Sequence, residues 1–407
     1  MVKRILRTIA GALILPITLM SVGCGDNTQT SKQSTESVKV GLLHSLSGTM
    51  TLSETPVRDA EKLAIEEINA NGGVLGRKIE ILEEDGRSNP NTFAERADKL
   101  LTVEGAVTIF GCWTSASRKA VMPIMEENDA LLWYPVQYEG FERSPNIVYT
   151  GSTLNQQIIP TIDYLLKNSR KRMFLIGSDY VFPRTANEVI KAQLIAHGGE
   201  CVGEEYTPLG YTDYSGIINR IKEKHPDVII NTLNGDSNIG FFRQLKSAGI
   251  SATEIPVMSF SLAEIEIQYI GAENLDRHMT AWSYYETLDN TENQRFISAY
   301  KKTYGNSKLI DDPMEAAYNS VYLWKAAVEK ANSFETKKVR EALAELTLNS
   351  PEGKIKIDGK NQHVYRKLRI GRINGNGLID TLETTSLIPP DPYLESYPWA
   401  KDIVPRS

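Results

Sequence analysis

Short continuous apolar runs alternate with longer amphipathic stretches from residue 38 onward. Residues 38–43 form the first apolar run, and residues 59–69 then carry apolar side chains at i, i+3 and i+4 spacing, which predicts a strand followed by a helix. The order of strand, loop and helix recurs with apolar runs at 78–82, 106–110, 131–135, 173–177, 228–232 and 256–261. Such repetition predicts parallel sheets whose two faces are both covered by helices.

The chain is long for a single hydrophobic core. It has 407 residues, and the alternating pattern starts again near residue 173 after a first set of four strands. Domains rarely grow beyond about 250–300 residues around one core. The sequence therefore predicts an α/β protein with two doubly wound parallel-sheet lobes, whose ligands bind at the carboxyl ends of the strands.

The first residues differ from the rest. Three basic residues precede the uncharged, mostly apolar stretch 9–22, which is too short for a membrane span but typical of a signal peptide. The segment Ser21-Val22-Gly23-Cys24 resembles a bacterial lipobox, although Ser21 replaces the usual Leu. We predict a signal peptide over 1–23, lipid attachment at Cys24 and a flexible tether over 24–37, with a cleaved, unlipidated form as the alternative. Both place the protein outside the cytoplasm, in the periplasm or on the outer face of the cytoplasmic membrane.

Charge and histidine spacing exclude several functions. The chain has 45 basic and 51 acidic residues and no long basic run, which argues against a nucleic-acid partner. Its five histidines lack the spacing of a metal site, and it contains no phosphate-binding glycine loop of the Walker type. We therefore expect neither a metal nor a cofactor.

The stretch 111–120, which contains Trp113, combines a strand end, a tight turn and a helix start. Ser115 and Ser117 are both plausible N-caps, so hydroxyl and backbone N–H groups would point out of the sheet where ligands bind. A capped helix beside a buried Trp113, without a ligand, is the alternative. A second alternative makes the neighbouring Cys112 the nucleophile of a secreted amidase, but a reactive thiol needs a base, and only Arg118 and Lys119 lie near it in sequence.

Seven segments together carry a family resemblance. They are HSLSGTM (44–50), FGCWTSASRKA (110–120), WYPVQYEG (133–140), SPNI (144–147), GSDYVFPR (177–184), NTLNGDSN (231–238) and DDPMEA (311–316). On these segments the chain resembles the urea- and amide-binding branch of the branched-chain-amino-acid type of periplasmic binding proteins, the solute receptors of bacterial ATP-driven (ABC) importers. The resemblance spans residue 38 to the end.

The resemblance implies the periplasmic binding protein type I fold, with two lobes joined by a three-strand hinge and a ligand in the cleft between them. We expect 38–150 and 284–348 in the first lobe, and 151–283 and 349–407 in the second. The expected function is to capture urea by lobe closure and deliver it to the membrane permease of an importer. A receptor for formamide or acetamide, or an amide sensor, is the alternative.

Urea has one carbonyl oxygen and four N–H donors, so a dry site must supply both donors and acceptors. Aromatic rings would cover its flat faces, while hydroxyl, amide and carboxylate groups would meet its edges. The expected ligand-binding residues are Trp113, Ser115, Tyr134, Gln137, Tyr180, Asn234, Asp236 and Ser261. The alignment leaves open whether Ser261 or Glu264 faces the ligand. We also predict that Asp236→Ala weakens urea binding at least tenfold.

Overall fold

The computed structural model describes residues 36–404. The predicted signal peptide, the lipid-attachment residue Cys24 and nearly all of the predicted tether lie outside this range. Within the range, no helix has both the length and the apolar character needed to cross a membrane.

The first lobe begins with three strand–helix repeats, which two further strands follow. Its elements are β1 (Val38–His44), α1 (Thr51–Ala70), β2 (Ile79–Asp85), α2 (Pro90–Thr102), β3 (Thr108–Gly111), α3 (Ser115–Glu127), β4 (Leu131–Tyr134) and β5 (Ile147–Tyr149). The five strands form one parallel sheet in the order β2-β1-β3-β4-β5. The predicted strands are thus present, and α1 starts eight residues before the predicted helix.

The second lobe repeats the same design. Its elements are α4 (Ile158–Lys167), β6 (Arg172–Ser178), α5 (Val181–His197), β7 (Glu200–Thr207), α6 (Ser215–Lys224), β8 (Val228–Thr232), α7 (Ser237–Ser247), β9 (Val257–Ser259), α8 (Glu264–Ile270) and β10 (Met279–Trp282). Side chains alternate across this sheet: Met173 and Leu175 of β6 pack into one apolar core, and Phe174 and Ile176 pack into another on the opposite face. Both faces of the sheet are therefore covered.

The remaining elements complete the two lobes. They are α9 (Thr291–Tyr304), α10 (Asp312–Ala331), α11 (Thr336–Ala342), β11 (Thr347–Ser350), β12 (Gly353–Ile357), β13 (Val364–Tyr365), β14 (Arg369–Ile373) and β15 (Ile379–Thr384). The second sheet has the order β15-β14-β10-β9-β8-β6-β7, with β14 and β15 antiparallel at one edge. The strands β11, β12 and β13 form a separate antiparallel sheet.

The chain passes between the lobes three times, as the three-strand hinge requires. The passages lie between β5 and α4, between β10 and α9, and between β13 and β14. The third passage differs from the predicted boundary at 348, because Ile355, Ile357 and Val364 pack into the first-lobe core. Alternate apolar residues of β12 are buried there, so the chain enters the second lobe only after Tyr365.

Candidate functional site

The cleft lies where the carboxyl ends of both sheets face each other, and direct hydrogen bonds close it. The Trp113 indole, after β3, donates to Asn234 Oδ1, after β8, at 3.4 Å. The Gln137 amide, after β4, donates to the Phe260 carbonyl at 3.0 Å and to Ser261 Oγ at 2.9 Å, both after β9. Four of the predicted residues thus meet across the cleft, and the structure shows the lobes in contact.

The first turn of α3 is capped by Thr114 rather than by Ser115 or Ser117. Thr114 has an extended backbone, and its Oγ1 accepts the backbone N–H of Ser117 at 3.1 Å. The predicted caps were therefore wrong by one to three residues. The cap serves the N–H of Ser117, so the N–H groups of Ser115 and Ala116 remain at the positive end of the helix, where hydrogen-bond acceptors and negative charge are stabilised.

The Ser115 hydroxyl is already used within the first lobe. It donates to the Glu139 carboxylate, and Arg118 Nη1 donates to its oxygen at 3.0 Å. A hydroxyl has a single hydrogen to donate, so this side chain keeps only acceptor capacity for a solute. In this arrangement a solute carbonyl would depend on backbone N–H groups and other donors.

Arg118 lies inside the protein, and not on the solvent-facing side of α3. It is completely buried; Nε donates to Glu142 at 2.8 Å and Nη2 to Glu139 at 2.9 Å. Burial alone would raise the pKa of Glu142, but Arg118 and Lys119 outweigh it and lower this pKa to about 2. The guanidinium also lies 4.9 Å from the centre of the Tyr134 ring. Arg118 and Lys119 thus face Glu139 and Glu142, and this first-lobe wall of the cleft is close to neutral.

Aromatic side chains line both sides of this wall. Tyr134 is completely buried, and its hydroxyl donates to the Trp113 carbonyl at 2.5 Å, which fixes the Trp113 backbone. Tyr180, between β6 and α5, is half-buried. Burial raises the pKa of the Tyr180 phenol, and the nearby Tyr134 and Glu139 raise it further. Tyr180 of the second lobe therefore lies near the wall of the first and stays protonated.

The polar residues of the second lobe divide into buried and exposed groups. Asn234 is buried; its backbone N–H donates to Ser178 Oγ at 3.0 Å and its amide to the Thr232 carbonyl at 3.1 Å. Asp236 is exposed, precedes α7 and makes no capping hydrogen bond, and partial burial raises its pKa. Of the two candidates in the next loop, Ser261 contacts Gln137.

Glu264 points elsewhere. Its Oε1 accepts the backbone N–H of Glu286 at 2.9 Å, close to the second passage between the lobes.

Cys112 is not suited to act as a nucleophile. It is completely buried, and burial, with a contribution from Glu54, raises its pKa well above that of a free thiol. A nucleophilic cysteine needs the opposite shift.

Glu139 and Arg118 are the two site residues that the sequence reasoning did not select. Both lie inside the quoted segments, 21 residues apart, and they meet only because β3 and β4 are neighbours in the sheet. A buried carboxylate needs a cation near it, and this was the available signal: the segment 133–140 contains one acidic residue, and the segment 110–120 contains two basic ones.

Two doubly wound lobes, three connecting passages and a polar, aromatic cleft define a two-lobed solute-binding protein. Residues 38–398 match the family described as periplasmic binding protein domain, and the chain belongs to that family. The chain is 24% identical over 345 residues to Leu/Ile/Val-binding protein homolog 6 of Brucella melitensis, a match that covers 83% of this chain and 87% of that protein.

Solved structures agree on the fold. A solute-binding protein of an ABC transporter from R. palustris, in complex with 4-hydroxybenzoate, aligns with a TM-score of 0.78 at 24% identity and covers 87% of this chain and 98% of its own. An amino acid ABC transporter substrate-binding protein from Pseudomonas fluorescens aligns with a TM-score of 0.76 at 21% identity, covering 87% and 97%. These relatives are binding proteins, and none of these three indicates a catalytic family.

Proposed function

We propose that this protein is an exported receptor that binds urea between its lobes and delivers it to the permease of an ABC importer. The closest chemical alternative is a short amide, formamide or acetamide. A lipid anchor at Cys24 and the membrane permease are part of the same proposal. The proposal rests on the resemblance of the seven segments and on the polar groups of the cleft.

The observation that carries the proposal is an unused acceptor at Gln137. Its Nε2 must be the atom that faces Phe260, because a backbone carbonyl can only accept a hydrogen bond. Gln137 Oε1 is therefore directed away from Phe260, and it is buried without a hydrogen-bond partner. Leaving a buried acceptor unpaired costs about 1–3 kcal/mol. An N–H donor of a bound amide would remove that cost.

The charge balance of the wall favours a neutral solute. The ligand 4-hydroxybenzoate carries a carboxylate, and amino acids carry a carboxylate and an ammonium group. Arg118, the buried cation beside Ser115, is committed to Glu139 and Glu142. Gln137 contacts the Phe260 carbonyl and the Ser261 hydroxyl of the second lobe, and neither offers a charge to an ammonium group. Urea has neither charged group.

Binding selectivity tests the proposal. Thermal shift and calorimetry would compare urea, formamide, acetamide, leucine and 4-hydroxybenzoate, because a solute that binds the folded state raises its melting temperature. We expect stabilisation by urea above acetamide, and none by leucine or 4-hydroxybenzoate. Stabilisation by either carboxylate without urea binding would refute the neutral-solute proposal. Release of ammonia from urea would instead support the amidase.

A matched pair of variants tests the role of Gln137. Gln137→Leu removes the unused acceptor and should weaken urea binding about tenfold or more, as expected for a lost buried hydrogen bond. Gln268→Leu is the control, since Gln268 also donates across the lobes, to the Ser307 carbonyl at 2.9 Å, but is exposed. Equal affinities of the two variants would remove Gln137 from the site.

A further inference from the structure

Helix α8 lies on the boundary between the lobes. Ile265 packs into the first-lobe core, whereas Ile267 and Ile270 pack into a second-lobe core. The residues on either side of Ile265 are Glu264 and Glu266, and both are completely or almost completely buried. The helix thus carries two carboxyl groups into the contact between the lobes.

A third buried carboxyl group, that of Asp311, belongs to the first lobe. Glu266 Oε1 accepts the Ser53 hydroxyl of α1 at 2.7 Å, a hydrogen bond between the lobes. Asp311 caps α10 by accepting the N–H of Met314 at 3.1 Å; burial raises the pKa of Asp311, and the negative charge of Glu266 raises it further. Asp311 Oδ2 and Glu264 Oε2 are both buried without a hydrogen-bond partner.

No cation compensates these three carboxyl groups within residues 36–404. The charged groups on the surrounding elements are occupied elsewhere: His44 pairs with Glu61, Lys301 with Glu286, and Arg366 with Asp312. Glu54 of α1 accepts the N–H of Ser45 at 2.8 Å and lies 3.7 Å from His44 Nδ1. Burial raises the pKa of Glu264, Glu266 and Asp311 alike.

We propose that closing the lobes binds a proton at the carboxyl pair Glu266 and Asp311, which the two lobes contribute separately. Opening the lobes would expose both groups to water, where a carboxyl group titrates near its usual value, about 4. In the closed protein the pair is dry and carries no counter-ion, so one proton replaces the missing cation. The proton is taken up when the lobes close, whichever solute the protein binds.

The direction of the pH dependence follows from linkage. The closed state holds the proton more tightly, so closing is most favourable below the open-state pKa and becomes less favourable as the pH rises towards the closed-state pKa. For one proton the solute affinity falls by up to about tenfold per pH unit in that interval. Urea affinity should therefore be higher at pH 5 than at pH 7.

The experiment counts protons. Urea binding to the full protein is measured by calorimetry at pH 6 in buffers of different ionisation enthalpy, which gives the number of protons taken up; this arm rests on the proposed function. Glu266→Gln and, as a second variant, Asp311→Asn, which keeps a good helix cap, should lose the uptake. Glu254→Gln is the control, because Glu254 also accepts a serine hydroxyl, at 3.3 Å from Ser251, but is exposed within one lobe.

A solute-free arm separates this inference from the proposed function. X-ray scattering of the urea-free protein between pH 5 and pH 8 should show the radius of gyration rising with pH, and Glu266→Gln should abolish the trend. If this trend is found and the protein does not bind urea, the proposed function as a urea receptor is refuted, and the inference that closure takes up a proton is supported. Urea binding without proton uptake, or with equal uptake in Glu266→Gln, would overturn the inference, as would a flat scattering profile in the absence of urea binding.

Discussion

Replacement of Arg366 by Met should destabilise the protein more than any exposed ion-pair change. Arg366 is 1% exposed, and its guanidinium contacts Asp312 at 3.1 Å, Glu352 at 2.6 Å and the Thr150 carbonyl at 3.1 Å. Asp312 in turn accepts the backbone N–H of Ser283 at 2.9 Å. Arg366 thus connects all three passages between the lobes: Thr150 in the first, Ser283 in the second and Arg366 itself in the third.

The magnitude follows from the buried charges that the substitution leaves behind. Breaking a buried ion pair by removing one partner costs about 3–5 kcal/mol. Burial, Glu352 and other acidic neighbours raise the pKa of Glu315 to about 8, even though Arg366 lowers it. Without Arg366 the pKa values of these carboxyl groups rise further. The unfolded chain keeps ordinary values, so the loss of stability should be larger at pH 8 than at pH 5.5, where protonation neutralises the buried groups.

Guanidinium chloride unfolding followed by circular dichroism measures the effect at both pH values. The control is Arg172→Met, because Arg172 also pairs with a carboxylate, Glu200 at 2.7 Å, but both side chains are exposed. Exposed pairs contribute about 0–1 kcal/mol. A loss below about 1 kcal/mol for Arg366→Met, or a larger loss at pH 5.5 than at pH 8, would refute this account of the hinge.

Three further predictions concern single residues. Gly111→Ala should destabilise by more than about 3 kcal/mol in thermal unfolding, since its φ is +144° and a Cβ would lie 2.0 Å from the Leu43 carbonyl oxygen, whereas Gly105→Ala, with φ +79° and open space, should cost about 1 kcal/mol. Burial would lower the pKa of His44, but its glutamate partners raise it to about 9, so the unfolding free energy should fall as the pH rises from about 6.5 through 9, and His44→Gln should remove this slope. Because Asp236 is exposed, Asp236→Ala should weaken urea binding only a few-fold in calorimetry, less than Gln137→Leu; a loss of tenfold or more would restore the stronger prediction made from the sequence.

Most of the strands that could be predicted lie inside a sheet, with neighbours on both sides. The run 228–232 coincides with β8, and all five of its residues are buried. No prediction covered β7, which forms the edge of its sheet and has mostly half-buried residues, so its sequence lacks a continuous apolar run. The three-residue strand β5, at the edge of the first sheet, was also missed, whereas the run 256–261 covered the equally short central strand β9. Of the edge strands β2, β5 and β7, an apolar run predicted only β2, so such runs indicate edge strands less well than central ones.

Several residues of the cleft could be selected from the sequence, but their hydrogen bonds could not be predicted. Sequence reasoning selected Trp113, Asn234, Gln137 and Ser261, and the structure brings these into two contacts across the lobes. It could not assign the hydrogen of the Ser115 hydroxyl, because that depends on a carboxylate 24 residues away. Pairings of this kind are set by the order of strands in a sheet, which local patterns do not encode.

The proposed solute, urea, is small, and its size limits the free energy that binding can contribute to closing the lobes. At about 1.5 kcal/mol per non-hydrogen atom, the four atoms of urea supply roughly 6 kcal/mol at most. Moving a two-state equilibrium from 1:99 to 99:1 requires about 5.5 kcal/mol of differential binding. Direct contacts such as Gln137 with Ser261 and Ser53 with Glu266 must therefore offset most of the cost of closing before the solute arrives. In a motion balanced so closely, one proton bound at Glu266 and Asp311 is enough to change how much of the protein closes on a given concentration of urea.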